Sequence, residues 1–126
     1  MKKYVLFICL MMSTAILILV SEFALPTTTA IIILLTAVTS DFYTTYRCLK
    51  VKGKEGNPAV AFLLRKVGIG GTFAVMAGIW VAFILLHWIE QREGVQTATA
   101  LAYWLVPINN LIVLKRLQRK QAVQAS

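Results

Sequence analysis

The sequence has little charge and few residues of the types that usually carry catalysis. Only 14% of the 126 residues are charged, five are acidic, and there is one histidine. A typical soluble domain has about 25% charged residues. Hydrophobic residues make up 59% of the chain, and a soluble domain this short has too much surface to bury so many of them. An intrinsically disordered chain is also excluded, because disorder requires low hydrophobicity. The mean hydropathy of +0.75 therefore predicts a single-domain integral membrane protein.

Familiar reaction motifs are also missing. Cys9 and Cys48 lack the clustered histidine that a zinc site needs. The sequence contains no glycine-rich phosphate loop, no HExxH and no GxSxG. It therefore identifies neither a cofactor nor a reaction.

Four apolar segments are long enough to cross a membrane as helices, which requires about 20 largely apolar residues. Their runs are continuous, whereas barrel strands alternate. The predicted fold class is all-α, an integral membrane four-helix bundle with a short cytoplasmic interfacial helix. The predicted spans cover about residues 4–25, 27–46, 68–89 and 97–114 of a single domain, 1–126.

Basic residues are distributed unevenly around these segments. All but Arg92 lie before the first span, in the loop 47–67 or in the tail 115–126. The positive-inside rule makes these regions cytoplasmic, so we predict a multi-pass protein of the cytoplasmic (inner) membrane with both termini inside. The basic loop and tail are expected to contact anionic lipid headgroups. This placement, rather than nucleic-acid binding, accounts for the net charge of +8.

The cytoplasmic loop contains its own helix start. Asn57 can cap free N–H groups, and Pro58 suits the first helical position because its missing N–H is not needed there. We expect a short helix over 59–67, lying in the membrane interface, before the chain bends at Gly68.

Asp41, in the second predicted span, is the acidic residue that most needs an explanation. On a helix it shares one face with Thr44, Thr45 and Cys48, because their spacing is i, i+3, i+4 and i+7. Ionisable groups inside membranes are costly and usually functional. The stripe indicates a site for a cation, a proton or a polar headgroup. The alternative is a carboxylate held by a threonine hydroxyl or by Arg47, which fixes helix packing.

Two asparagines lie at about the same predicted depth as Asp41. Asn109 and Asn110 follow Pro107 in the last span, and proline leaves a helix carbonyl without its donor. Asparagine is also ordinary interhelical glue. A role in the site around Asp41 and a role in helix packing are both open for the two asparagines.

Glu55 is the only acid in the basic loop. It is either a solvated glutamate paired with a lysine or a second carboxylate facing Asp41, as acid–base chemistry would use. We predict that the loop folds back so that Glu55 and Asn57 close over Asp41, with Asn109 or Asn110 completing the ring. If the site holds a metal, Asp41 and Glu55 are its expected ligands.

A stripe of small residues recurs every four positions in the third segment, at Gly70, Ala74 and Gly78. Such stripes allow helices to approach closely. The contact would lie either within the chain or between copies in a homo-oligomer.

Two short motifs resemble a known family. Residues 41–45 (DFYTT) and 53–58 (GKEGNP) are similar to the small bacterial and archaeal membrane proteins grouped as domain of unknown function 5658. The resemblance implies that Asp41, Thr45, Glu55, Asn57 and Pro58 act as a set, and it supplies no reaction.

Three functions remain open at this stage. The first is a polar site at the cytoplasmic mouth that binds an ion, a proton or a lipid headgroup and transports it or simply holds it. The second is a lipid-modifying enzyme that uses Asp41 and Glu55. The third is a non-catalytic assembly or regulatory subunit.

Overall fold

The computed structural model describes residues 2–51, 58–90 and 92–126. Within these ranges the chain is helical and contains no strand, which confirms the all-α prediction. The elements are α1 (Lys2–Val20), α2 (Thr27–Lys50), α3 (Pro58–Glu90), α4 (Glu93–Tyr103) and α5 (Leu105–Ala125). Only Trp104 separates α4 from α5, and its φ of −60° and ψ of −21° are nearly helical. The two helices therefore form one rod.

Three of these helices are long and apolar enough, by length and composition, to cross a membrane. They are Thr27–Lys50, Pro58–Glu90 and the rod Glu93–Ala125. The first apolar helix is shorter and ends at Val20, whereas the predicted span reaches about residue 25. The chain turns after Val20, where Glu22 takes a positive φ of 56° that a helix cannot continue.

Helix α2 and the α4–α5 rod run in the same direction, side by side. Near their starts, the backbone N–H of Leu25 donates to Thr97 Oγ1 at 2.8 Å. Near their ends, Gln121 Nε2 donates to the Val51 carbonyl at 3.2 Å. The basic residues that close α2 therefore lie at the same end of the bundle as those of α5.

Small side chains make the contact between α2 and the rod close. The buried alanines Ala30 and Ala37 lie on α2, and Ala98, Ala100 and Ala102 lie on α4. Alanines let helix backbones approach without clashes, which is how helices pack in membranes. Helix α1 packs on α4.

Helix α3 is broken at Gly68, as predicted for the bend. Gly68 has φ 70° and ψ −176°, a region essentially restricted to glycine. The hydroxyl of Thr72 donates to the Gly68 carbonyl at 2.7 Å, which gives the carbonyl at the break a partner. Pro58 is the first residue of the helix, as predicted, whereas its predicted cap Asn57 lies outside the described residues.

The small-residue stripe of α3 does not pack within the described chain. Gly70, Ala74 and Gly78 are all exposed, and a Cβ added at either glycine would meet nothing within 4 Å. Aromatic rings instead attach α3 to its neighbours. Phe73 stacks on Phe42 of α2 at 5.1 Å between ring centroids. The stripe therefore makes no close helix contact within the described residues, and its contact between copies in a homo-oligomer stays a prediction.

Candidate functional site

Asp41 lies on the face of α2 that packs against the rod, and its side chain is only 4% exposed. The same face carries Val38 one turn earlier and Leu34 two turns earlier, and these two side chains form the apolar core with Ala100. Because Asp41 shares this buried face of α2, its carboxylate points into the bundle as the core side chains do. This confirms that Asp41 faces the interior of the bundle.

Three side chains donate hydrogen bonds to this carboxylate. The hydroxyl of Tyr103 lies 2.5 Å from Asp41 Oδ2. Asn110 Nδ2 and Thr45 Oγ1 lie 2.8 Å and 3.1 Å from Oδ1. Hydrogen bonds to an ionised group are shorter and stronger than neutral ones. Donors from α2, α4 and α5 therefore meet at a single side chain.

Asn110 connects several groups of the predicted stripe. Its Nδ2 lies 3.1 Å from Thr45 Oγ1 and 3.3 Å from Thr44 Oγ1. The Asn110 backbone carbonyl accepts from Cys48 Sγ at 3.4 Å. The structure thus brings together Asp41, Thr44, Thr45 and Asn110, and it selects Asn110 rather than Asn109 as the direct partner of the carboxylate.

Arg47 does not hold Asp41, so that part of the packing alternative is wrong. Its Nη1 donates to the Tyr43 hydroxyl at 2.8 Å on an exposed surface, whereas Thr45 provides the threonine contact. Within residues 2–51, 58–90 and 92–126, the ion pair found joins Arg92 to Glu90 at 2.7 Å.

The predicted closure of the loop over Asp41 cannot be placed, because Glu55 and Asn57 lie outside the described residues. The predicted pair of metal ligands, Asp41 and Glu55, includes the same residue outside the described ranges. In the part of the chain that the structure describes, no group of three or more histidine, cysteine, aspartate or glutamate side chains could hold a metal ion.

A cavity of about 350 Å³ lies beside the hydrogen-bonded cluster. Its polar wall contains Asp41, Thr45, Tyr103, Asn109 and Asn110. Apolar side chains from α1 and α3 also line it, among them Phe7, Met11, Phe73 and Met76. Small-molecule sites are typically mostly apolar cavities of about 300–1,000 Å³ with a few convergent polar groups. This cavity has that composition and size.

Tyr103 is the residue of the cluster that sequence reasoning missed. It precedes Asn110 by seven residues, two helical turns, so the two side chains share a face of a helix. That spacing was visible in the sequence. Trp80 of α3 packs edge-on against the Tyr103 ring at 4.5 Å between centroids, which restricts the position of the ring from the side of α3.

Comparison of the chain with protein-family models, with curated proteins and with solved structures finds no match.

Proposed function

We propose that the chain is a multi-pass protein of the cytoplasmic membrane, with four crossings and both termini cytoplasmic. Helix α1 has 19 residues, about 28 Å at 1.5 Å per residue, close to the ~30 Å hydrocarbon core. Helices α1 and α3 expose large apolar side chains such as Leu17, Ile79 and Val81, which suits contact with lipid chains. The shared basic end of α2 and α5 supports a cytoplasmic placement of that end.

The function that the geometry supports best is binding of a small ligand at Asp41, with transport of that ligand as its extension. One observation carries this proposal: a buried carboxylate forms part of the wall of a 350 Å³ cavity whose remaining lining is largely apolar. An acidic side chain inside a membrane is costly, and it is normally retained for an ion, a proton or a ligand. Three donors fix the direction of the carboxylate and so preorganise the wall.

A purely structural role is the second candidate, and the hydrogen bonds favour it. Two donors of the α4–α5 rod, Tyr103 and Asn110, bind Asp41 of α2, and such interhelical bonds alone stabilise helix packing in a membrane. An assembly subunit would need no more than this. The cavity distinguishes the two candidates, because packing alone does not require a space beside the carboxylate.

The test is to identify what the protein carries when it is purified. The wild-type chain and Asp41→Asn would be extracted in the same mild detergent, and bound small molecules would be identified by mass spectrometry. We expect a molecule that is retained by wild type and lost from Asp41→Asn. Glu90→Gln is the matched control, because it removes a carboxylate that lies far along the chain, in an exposed pair with Arg92.

A structural role predicts a different result. Wild type and Asp41→Asn would then carry the same molecules and differ only in thermal stability. That outcome, with both proteins folded, would refute the binding proposal.

We also propose that the resemblance of residues 41–45 and 53–58 to the domain of unknown function 5658 proteins reflects a shared site. Loss of the retained molecule in Glu55→Gln as well as in Asp41→Asn would support it.

A further inference from the structure

We infer that the ligand of the Asp41 cavity is an organic cation, a positive centre that carries apolar groups. Two sources share this chemistry: a free lipophilic cation and the amine headgroup of a lipid. The inference rests on the proposed binding function and specifies its substrate class. It follows from the charge, the aromatic content and the chemistry of the cavity wall.

The charge of the wall sets the sign of the ligand. Asp41 is the acidic residue among the described side chains that line the cavity, and neither lysine nor arginine is among them. Coulomb interactions are stronger away from bulk water. A carboxylate in such a wall attracts a cation, whereas a phosphate or carboxylate ligand would meet no opposite charge from the described lining.

Aromatic rings make the same wall suitable for a cation without a hydration shell. Phe7, Phe42, Phe73 and Tyr103 line the cavity from four helices. Aromatic faces attract ammonium groups, and the interaction is worth about 2 kcal/mol or more when the cation is desolvated. Quaternary ammonium ligands are recognised by cages of such aromatic rings.

A bare metal ion fits this wall less well. Ca²⁺ takes about six to eight oxygen ligands, and Mg²⁺ keeps an octahedral shell of oxygens. The described lining offers one carboxylate and a few neutral oxygens, and its remaining area consists largely of phenylalanine, methionine, valine and leucine side chains. These groups replace a hydration shell poorly, but they contact the apolar substituents of an organic cation well.

The experiment compares a cation with its neutral isostere. The probes are benzyltrimethylammonium and neopentylbenzene, which differ by nitrogen against carbon at one atom. The protein is the full chain in phosphatidylglycerol nanodiscs, carrying Cys9→Ser so that Cys48, a cavity-lining residue, is the remaining thiol. The measurement is the rate of thiol modification at matched membrane concentrations of the two probes.

We expect the cation to protect Cys48 at a concentration about tenfold or more below that of the isostere. Protection by the cation should be lost in Asp41→Asn and kept in Glu90→Gln. Equal protection by the two probes would overturn the inference. That comparison uses the wild-type Asp41, so it stays decisive even if Asp41→Asn does not fold.

A second arm separates the two sources. Phosphatidylethanolamine would be added to the nanodiscs at constant probe concentration. If the lipid amine is the natural occupant, it should weaken protection by the cation in proportion to its share of the bilayer. If a free cation is the occupant, protection should stay unchanged. Both results support an organic-cation site.

The outcomes also separate this inference from the proposed function. A molecule lost specifically from Asp41→Asn on purification, combined with no preference for the cation, would refute the inference and leave ligand binding intact. Identical retained molecules in both proteins and no preference for the cation would refute both.

Discussion

Replacing Tyr103 by phenylalanine tests whether the buried cluster stabilises the bundle through its hydrogen bonds. The substitution removes only the hydroxyl that donates to Asp41 Oδ2 at 2.5 Å. The ring that packs edge-on against Trp80 is retained. Asp41 keeps Asn110 and Thr45 as donors, so its carboxylate loses one of three hydrogen bonds and retains two.

Two magnitudes bracket the expected effect. A hydrogen bond to a charged group is worth about 1.5–3 kcal/mol in proteins. Hydrogen bonds between membrane helices average about 0.6 kcal/mol and reach about 1.7 kcal/mol, because the unfolded chain in the membrane also finds partners. The 2.5 Å distance and the burial of Asp41 place this bond at the upper end of the membrane range. We therefore expect Tyr103→Phe to lower the free energy of unfolding by about 1–2 kcal/mol.

Tyr43→Phe is the matched control. The Tyr43 hydroxyl accepts a hydrogen bond from Arg47 on an exposed surface, where such contacts contribute about 0–1 kcal/mol. Both variants would be unfolded in mixed micelles with increasing denaturing detergent and followed by circular dichroism. A double-mutant cycle with Asp41→Asn then isolates the coupling between Tyr103 and Asp41.

Equal destabilisation by the two phenylalanine variants would contradict the reasoning. So would a coupling energy near zero between Tyr103 and Asp41 with both single variants folded. Either result would mean that the hydroxyl and the carboxylate contribute to stability independently.

Three further outcomes are expected. Gly68→Ala should lower the free energy of unfolding by about 1–3 kcal/mol, because the φ of 70° and ψ of −176° at this position suit only glycine. Gly70→Ala should raise it by about 0.5–1 kcal/mol, because an added Cβ there meets no neighbour within 4 Å. Chemical unfolding of the two variants measures both changes. Glu22→Gly should raise the unfolding midpoint slightly, since it relieves a positive φ of 56° that costs about 1–2 kcal/mol, which exceeds the roughly 0.5–1 kcal/mol of backbone entropy that glycine loses on folding. A cysteine at Gly94 should react with an impermeant thiol reagent from outside the cell, and one at Ser126 should not; external labelling at Ser126 would reverse the proposed topology.

Local chemistry made much of the fold predictable. Gly68 could be assigned to a bend because glycine tolerates backbone conformations that other residues resist. Pro58 could be assigned to a helix start for an equally local reason. The end of α1 was harder to predict, because the apolar residues Phe23 to Leu25 follow Ser21 and Glu22 and the turn depends on the conformation of Glu22.

The candidate site was predictable only along one helix. Asp41, Thr44 and Thr45 follow from helical spacing within α2. Which groups of another helix face them depends on the register between α2 and the rod. Alanine contacts and the bond from Leu25 to Thr97 set that register, and sequence spacing within one helix carries no information about it. Tyr103 was therefore missed, and Asn109 could not be separated from Asn110.

The position of Pro107 explains how one helix supplies two donors to one carboxylate. Tyr103 and Asn110 lie on either side of the buried Pro107, which cannot donate to the Tyr103 carbonyl. The rod can bend there at lower cost than at an ordinary residue. Donors two turns apart are about 10 Å apart along a straight helix, and both reach Asp41. Their side chains therefore lean toward each other along the rod to reach one carboxylate, and the cavity beside that carboxylate is lined from α1 and α3 by Phe7 and Phe73.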